Sequence, residues 1–178
     1  AGCASPVLAQ QGVVNIICGV QVEWCNSVQE AFSRETGIKV SMVKKSAGDT
    51  YEQLTAESAN PKADVWFGGT GDSHLQAAEK DLTLAYQSPN IHLLRDWAVD
   101  QAEKANYRTV GIYAGPLGFA YNTELLAKKK LTPPACWSDL IKPEFRGEVQ
   151  MANPHSSGTA FMALATLVQL SGEEKAFK

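Results

Sequence analysis

The residues of this chain that could do chemistry are hydroxyls, glycines and an asparagine in a short turn, Asn153-Pro154-His155-Ser156-Ser157-Gly158-Thr159-Ala160, set directly ahead of the nearly apolar run FMALATLVQL. Pro154 restrains the turn. Ser157 or Thr159 can cap the helix that the apolar run predicts. The first amides of such a helix lack intrahelical acceptors and carry about half a positive charge from the macrodipole. With hydroxyls at hand and Gly158 allowing close approach, an anion can dock on those amides. A plain helix cap uses the same residues without a ligand, and the turn alone does not decide between the two.

Other groups offer less. FGGTGDS, residues 67–73, lacks the third glycine of a dinucleotide fingerprint and the G-K-[ST] of a phosphate-binding loop, so it reads as a strand-to-helix turn that faces a ligand. His74, His92 and His155 are far apart and none has a metal-ligand partner three or four residues away, which makes them surface or helix-cap residues. Ser156 and Ser157 beside His155 do not form a triad, because adjacent side chains rarely bring their reactive atoms together and no G-x-S-x-G elbow is present. No pair of carboxylates stands at a catalytic spacing. The sequence therefore assigns no catalytic residue, no metal and no cofactor.

The elements that must position these residues follow from periodicity. VVNIIC (13–18) is a continuous apolar run, the mark of a strand buried on both faces. A helix follows, with Asn26 or Ser27 as cap and Gly37 as stop. IKVSMV (38–43) alternates as a strand. The next helix has Asp49 and Glu52 spaced as a capping box. ADVWFGG (63–69) is a third strand, with a helix after it. The β-α-β-α-β-α order implies parallel strands covered by helices on both faces, with ligands held beyond the strands' carboxyl ends. Loops 18–24, 44–49 and 67–73 lie at that edge and are rich in Gly and small polar residues. After residue 106 the pattern changes. Residues 107–122 read as two extended pieces broken at Gly115-Pro116, a crossover between lobes; NTELLAKKK is a short helix, and EVQMAN (148–153) is a strand that leads into the opening turn.

Cys18 and Cys25 flank the loop after the first strand, close enough for a disulfide in an oxidising compartment. The alternative is a pair of small buried apolar residues. A net charge of −3 with scattered Lys and Arg speaks against nucleic acid as a partner. No apolar run nears the roughly 20 residues that cross a bilayer. Residues 1–9 read as a leader: Val7 and Ala9 suit signal cleavage before Gln10, and AGC at the start suits lipid attachment at Cys3. Both point to export.

Four segments in order, ADVWFGG, GPLGFAYN, W-S-D-L-x-x-P-E-F-R-G and NP-x-SSGTA, together with VNIICGVQVEWCNSVQEAFSRETGIKV, resemble the periplasmic solute-binding proteins of bacterial ABC importers, in the group often described as ferric-iron binding. The resemblance runs from about residue 13 to the end. It implies the type 2 periplasmic-binding-protein fold: two α/β lobes joined by crossover strands, here a first lobe over 10–112 and a crossover with a partial, incomplete second lobe over 113–178. It implies a small anionic solute, phosphate- or carboxylate-bearing, held in the inter-lobe cleft and passed to an inner-membrane permease. The implied ligand contacts are Gln21, Ser46, Gly69 and Thr70 in the first lobe and Asn153, Ser156, Ser157, Gly158 and Thr159 in the second. Iron binders of the group use adjacent tyrosines with a His or Glu from the first lobe; Glu23 is present here but no tyrosine pair is, so ferric iron is the alternative ligand. An enzyme on the same scaffold is the alternative of another class. Full members run to roughly twice this length, two lobes of ordinary domain size, and FMALATLVQL is apolar on every side, as a helix buried on every side would be.

Overall fold

A computed structural model of the protein describes residues 12–177. The leader, with Cys3 and the Gln10 cleavage point, lies outside the described residues. The chain divides into two compact units, one ending at Val110 and the other beginning at Gly111.

The first unit is built on a three-stranded parallel sheet in the order β2-β1-β3. Central β1 (Val13–Cys18) pairs from Val13↔Lys39 to Cys18↔Lys44 with β2 (Lys39–Lys44), and from Ile16↔Val65 to Cys18↔Phe67 with β3 (Val65–Phe67). Its carboxyl half, Ile16, Ile17 and Cys18, is buried, as an apolar run in a central strand requires. Helices α1 (Val22–Thr36), α2 (Ala47–Ala56) and α3 (Gly71–Glu79) alternate with the strands, so all three begin at the sheet's carboxyl edge. The β-α-β-α-β-α order predicted from periodicity is the order observed. Helix α4 (Asp96–Lys104) buries Ala98 and Ala102, and beyond it Arg108 pairs with Asp81 at 2.8 Å and donates to the Thr83 carbonyl.

Two local expectations are corrected. Helix α1 starts at Val22, with Gln21 at the cap position, rather than at Asn26 or Ser27. Cys25 therefore lies inside the helix, and the Ser27 hydroxyl donates back to the Glu23 carbonyl at 2.8 Å instead of capping. On α2 the capping partner of Asp49 is Ser46, one turn earlier than the Asp49–Glu52 box: the Ser46 hydroxyl accepts from the Asp49 amide at 3.3 Å and donates to its carboxylate at 2.6 Å.

The second unit holds α5 (Thr123–Lys129), capped by Asn122, then two 3-10 turns at Trp137–Ile141 and Pro143–Phe145, then α6 (Gly158–Ser171) and α7 (Glu173–Ala176). No strand forms among its described residues, and the strand expected over 148–153 is absent. Val149 and Met151 within it are both about half exposed, and no described strand pairs with the segment. The W-S-D-L-x-x-P-E-F-R-G motif is scaffold here. Trp137 meets Phe119 edge to face at 5.5 Å. Phe145 is buried, and Gly147 turns the chain at φ +79°. The Asp139 carboxylate pairs with Lys142 at 2.7 Å and accepts from the amides of Ala135 and Cys136. Lys142 first, and then those amides, hold its carboxyl well below the usual carboxylate range.

Candidate ligand site

The carboxyl edge of the first sheet is shaped by a disulfide and by a glycine pair. Cys18, the last residue of β1, is bonded to Cys25 in the second turn of α1 with Cα atoms 6.1 Å apart. The bond sits in the core with Val20, against Met42 and Phe67. It pins the start of α1 to the end of the central strand. After β3 the chain passes through Gly68 and Gly69 at φ +74° and +105°, a region that L side chains rarely adopt. The packing also requires glycine: a Cβ on Gly19 would lie 2.9 Å from the Gly68 carbonyl oxygen, and one on Gly68 would lie 2.4 Å from Val20 Cγ1. The loops after β1 and β3 thus touch backbone to backbone. A Cβ on Gly69 would lie 3.5 Å from that of Ala47, so the start of α2 adjoins the same point.

Three of the four first-unit candidates are the residues preceding these helices. Gln21 stands at the cap position of α1, exposed, and its carbonyl accepts from Trp24 and Cys25. Ser46 caps α2, and its carbonyl accepts from the amide and the hydroxyl of Thr50, which is wholly buried. Thr70 precedes α3 without a side-chain cap bond, and its Oγ1 is buried with no hydrogen-bond partner among the described residues. Gly69, the fourth, belongs to the glycine pair. The structure therefore places Ser46, Gly69 and Thr70 around one turn, with Gln21 at the neighbouring helix start.

Each of these helices carries an acid in its first turn: Glu23 in α1, Asp49 in α2 and Asp72 in α3. Those carboxylates already complement the helix dipoles. They weaken the edge as a site for a full negative charge and suit it to hydroxyl or ammonium donors.

The second-unit candidates form a separate cluster. The Asn153 side-chain oxygen accepts from the His155 amide at 2.9 Å, and its carbonyl accepts from the amides of Ser156 and Ser157. The Ser156 hydroxyl also donates to that carbonyl, at 3.4 Å. Ser157 is the cap: its Oγ accepts from the Ala160 amide at 3.3 Å, and its carbonyl accepts from Phe161 at 2.9 Å. Gly158 is buried in the first turn of α6, and Thr159 is exposed. Unlike α1, α2 and α3, helix α6 has no acid in its first turn. The two readings of the turn are thus compatible: Ser157 caps by accepting, and its hydroxyl proton remains a donor.

His74 is held more tightly than the sequence suggests. It is no surface histidine: its ring stacks on Trp66 with centroids 3.8 Å apart and its Nε2 lies 2.9 Å from the Gly68 carbonyl oxygen. Burial lowers its pKa, against the opposing pull of the Gly68 bond and of Asp72. Nothing in the local sequence announces this, because the contact depends on a left-handed turn folding helix α3 back over β3.

The family of bacterial extracellular solute-binding proteins matches residues 60–178, well over half of the chain. The chain belongs to that family. Among solved structures, this solute-binding chain superimposes with a TM-score of 0.88 on the periplasmic binding protein AfuA from Actinobacillus pleuropneumoniae with exogenous fructose-6-phosphate bound, at 41% identity over 94% of this chain and 53% of that one. It is 42% identical to an uncharacterized protein of Haemophilus influenzae over 94% of this chain and 49% of the relative. It is 33% identical to a putative 2-aminoethylphosphonate-binding periplasmic protein of Salmonella typhimurium, over 80% of this chain and 39% of that protein. The Fe(3+)-binding periplasmic protein of Serratia marcescens stands further off, at 28% over 96% of this chain and 48% of its own. The chain spans about half the length of the curated relatives it matches. The α/β periplasmic-binding-protein fold expected from the motifs is the fold of these neighbours, and those whose function is described are binding proteins of the periplasm.

Proposed function

We propose that this solute-binding chain is part of the periplasmic component of an ABC importer, that it binds a small phosphate- or carboxylate-bearing solute without transforming it, and that it delivers the solute to an inner-membrane permease. The observation that carries the reading is the start of α6, a helix of ordinary length whose first turn combines the Ser157 cap, a buried Gly158 and an exposed Thr159 with no competing carboxylate. An acidic group docked there meets unpaired amides, the positive end of the dipole and the hydroxyl donors of Ser157 and Thr159. In the first unit, where Glu23, Asp49 and Asp72 each stand in a first turn, the proposed contacts Gln21, Ser46, Gly69 and Thr70 suit hydroxyl or amine groups. The phosphorylated sugar bound to one relative and the aminophosphonate named for another both join an acidic group to such donors.

Ferric iron is the second reading, favoured by the Serratia marcescens relative. Calorimetric titration of the full-length protein with fructose 6-phosphate, 2-aminoethylphosphonate and ferric citrate decides between them. Binding of a phosphorylated or phosphonate compound, weakened in Thr159→Ala, supports the proposal. Tight binding of iron alone replaces it.

A further inference from the structure

The turn between β3 and α3 holds two consecutive glycines in left-handed backbone, at φ +74° and +105°. Glycine pairs have little intrinsic barrier against alternative backbone conformations, so a defined turn needs an external hold. His74 supplies one. Its Nε2 lies 2.9 Å from the Gly68 carbonyl oxygen. A carbonyl oxygen only accepts, so Nε2 carries the hydrogen. The ring is fixed in turn by its stack on Trp66, at 3.8 Å and 25° between planes. The Trp66 indole nitrogen is buried with no hydrogen-bond partner among the described residues, so Trp66 serves here through its face. On the other side, Gly19 and Val20 press against Gly68. In a planar trans peptide the C=O of Gly68 and the N–H of Gly69 point opposite ways. Holding the carbonyl on His74 therefore fixes the direction of the Gly69 amide, and with it the entry into α3.

We propose that His74 is a positioning residue for solute binding: stacked on Trp66 and bonded to the Gly68 carbonyl, it holds the Gly68–Gly69 peptide in the one orientation that the solute meets. The proposal rests on the assignment of Gly69 and Thr70 to the ligand site. Loss of the hold lets the peptide populate other orientations, and apparent affinity falls by the fraction that remains competent.

The test uses the full-length protein, with fructose 6-phosphate and 2-aminoethylphosphonate as probes. His74→Leu removes the donor and keeps apolar bulk. His74→Gln can place an amide N–H near the position of Nε2. We expect His74→Leu to lose about tenfold in affinity with its urea midpoint nearly unchanged, and His74→Gln to recover most of the loss. Nitrogen-15 spectra of the free wild-type protein should show the Nε2–H tautomer of His74 and a single sharp signal for each of the Gly68 and Gly69 amides; in His74→Leu those two signals should broaden or double. An Nδ1–H tautomer in the wild type, or sharp unshifted glycine signals in His74→Leu, overturns the proposal even where the variant folds poorly. Equal losses of affinity in both variants overturn it as well. Failure of the wild type to bind either probe, with the spectra as expected, refutes the assigned solute class and leaves the peptide hold standing.

Discussion

The disulfide between Cys18 and Cys25 offers the most direct measurement of what pins the ligand edge. It closes a loop with a sequence separation of 7 between its cysteines. Chain-entropy reasoning gives a loop that short about 2.5 kcal/mol of stabilisation through the unfolded state. Both cysteines are buried, Cys18 completely and Cys25 to 3% exposure, so reductant reaches the bond only when the unit opens. The experiment unfolds the full-length protein in urea with and without dithiothreitol, refolds each sample, and compares the transitions. At ordinary urea sensitivities of about 1–3 kcal/mol per molar, the reduced protein should unfold about 0.8–2.5 M earlier. A double variant, Cys18→Ala with Cys25→Ala, should be less stable still, because it also removes sulfur atoms packed against Met42 and Phe67. If the reduced and oxidised proteins share one midpoint, the bond does not constrain the unfolded chain and the reasoning fails. If both thiols alkylate freely in unreduced periplasmic extract, the bond does not form in the cell.

The remaining expectations concern single positions. Gly68→Ala places a Cβ 2.4 Å from Val20 Cγ1 in a left-handed backbone, and should cost more than the roughly 1–2 kcal/mol of the conformation alone; an unchanged urea midpoint counts against the turn as described. Ser157→Ala removes the α6 cap and should cost about 1 kcal/mol of stability, whereas exposed Thr159 makes no cap bond, so Thr159→Ala should leave stability alone and weaken solute binding by about 1–3 kcal/mol, as for a hydrogen bond to a charged group; unchanged affinity in calorimetry for both variants leaves α6 with a plain cap. The pKa of His74 is lowered by burial, with Asp72 as the charged neighbour acting against the shift, so the unfolded chain takes up its proton first. The stability this ring contributes is then present above about pH 6.5, its ordinary value, and is lost as pH falls through the lowered folded value; urea midpoints over that range should slope less in His74→Gln than in the wild type. Phe161, Met162 and Leu170 leave much of α6 exposed, so the 178-residue chain should bind an apolar-surface dye and self-associate, and a monodisperse, dye-free sample in light scattering goes against this.

What the sequence makes legible here is what periodicity and pairing rules govern. The apolar run at 13–18 reads as a central strand because its carboxyl half is enclosed on both faces, and the two crossovers follow from strand and helix alternation. The short spacing of Cys18 and Cys25 is enough to allow their bond, although the geometry that closes it differs from the expected one. The sequence reads residues 18–24 as a short loop between strand and helix, whereas α1 begins at Val22 with no side-chain cap. Capping preferences favour Asn26 and Ser27, but they are worth only about 1 kcal/mol each and are readily overridden by tertiary context. The segment 148–153 fails for a related reason. The apolar residues Val149 and Met151 are a local signal, and a strand needs a partner strand: without a neighbour to share its hydrogen bonds, the segment has no ladder to join.

The site divides along the same line. The start of α6 was legible because a cap is local: Asn153, Ser157 and Gly158 act within one turn, and their types announce the turn they make. His74 was illegible because its role is set by residues six and eight positions earlier, brought under its ring only after Gly68 and Gly69 turn left-handed. The acids in the first turns of α1, α2 and α3 fall between these cases. Glu23, Asp49 and Asp72 are visible in the sequence, yet their meaning depends on those three helices starting at one sheet edge. Taken one at a time, each merely complements a dipole. Taken together at that edge, they oppose a full negative charge there. Replacing Asp72 with Asn should therefore favour a dianionic probe such as inorganic phosphate over 2-aminoethylphosphonate in competition titrations of the full-length protein. An unchanged ratio between the two would remove the electrostatic basis for that reading of the edge.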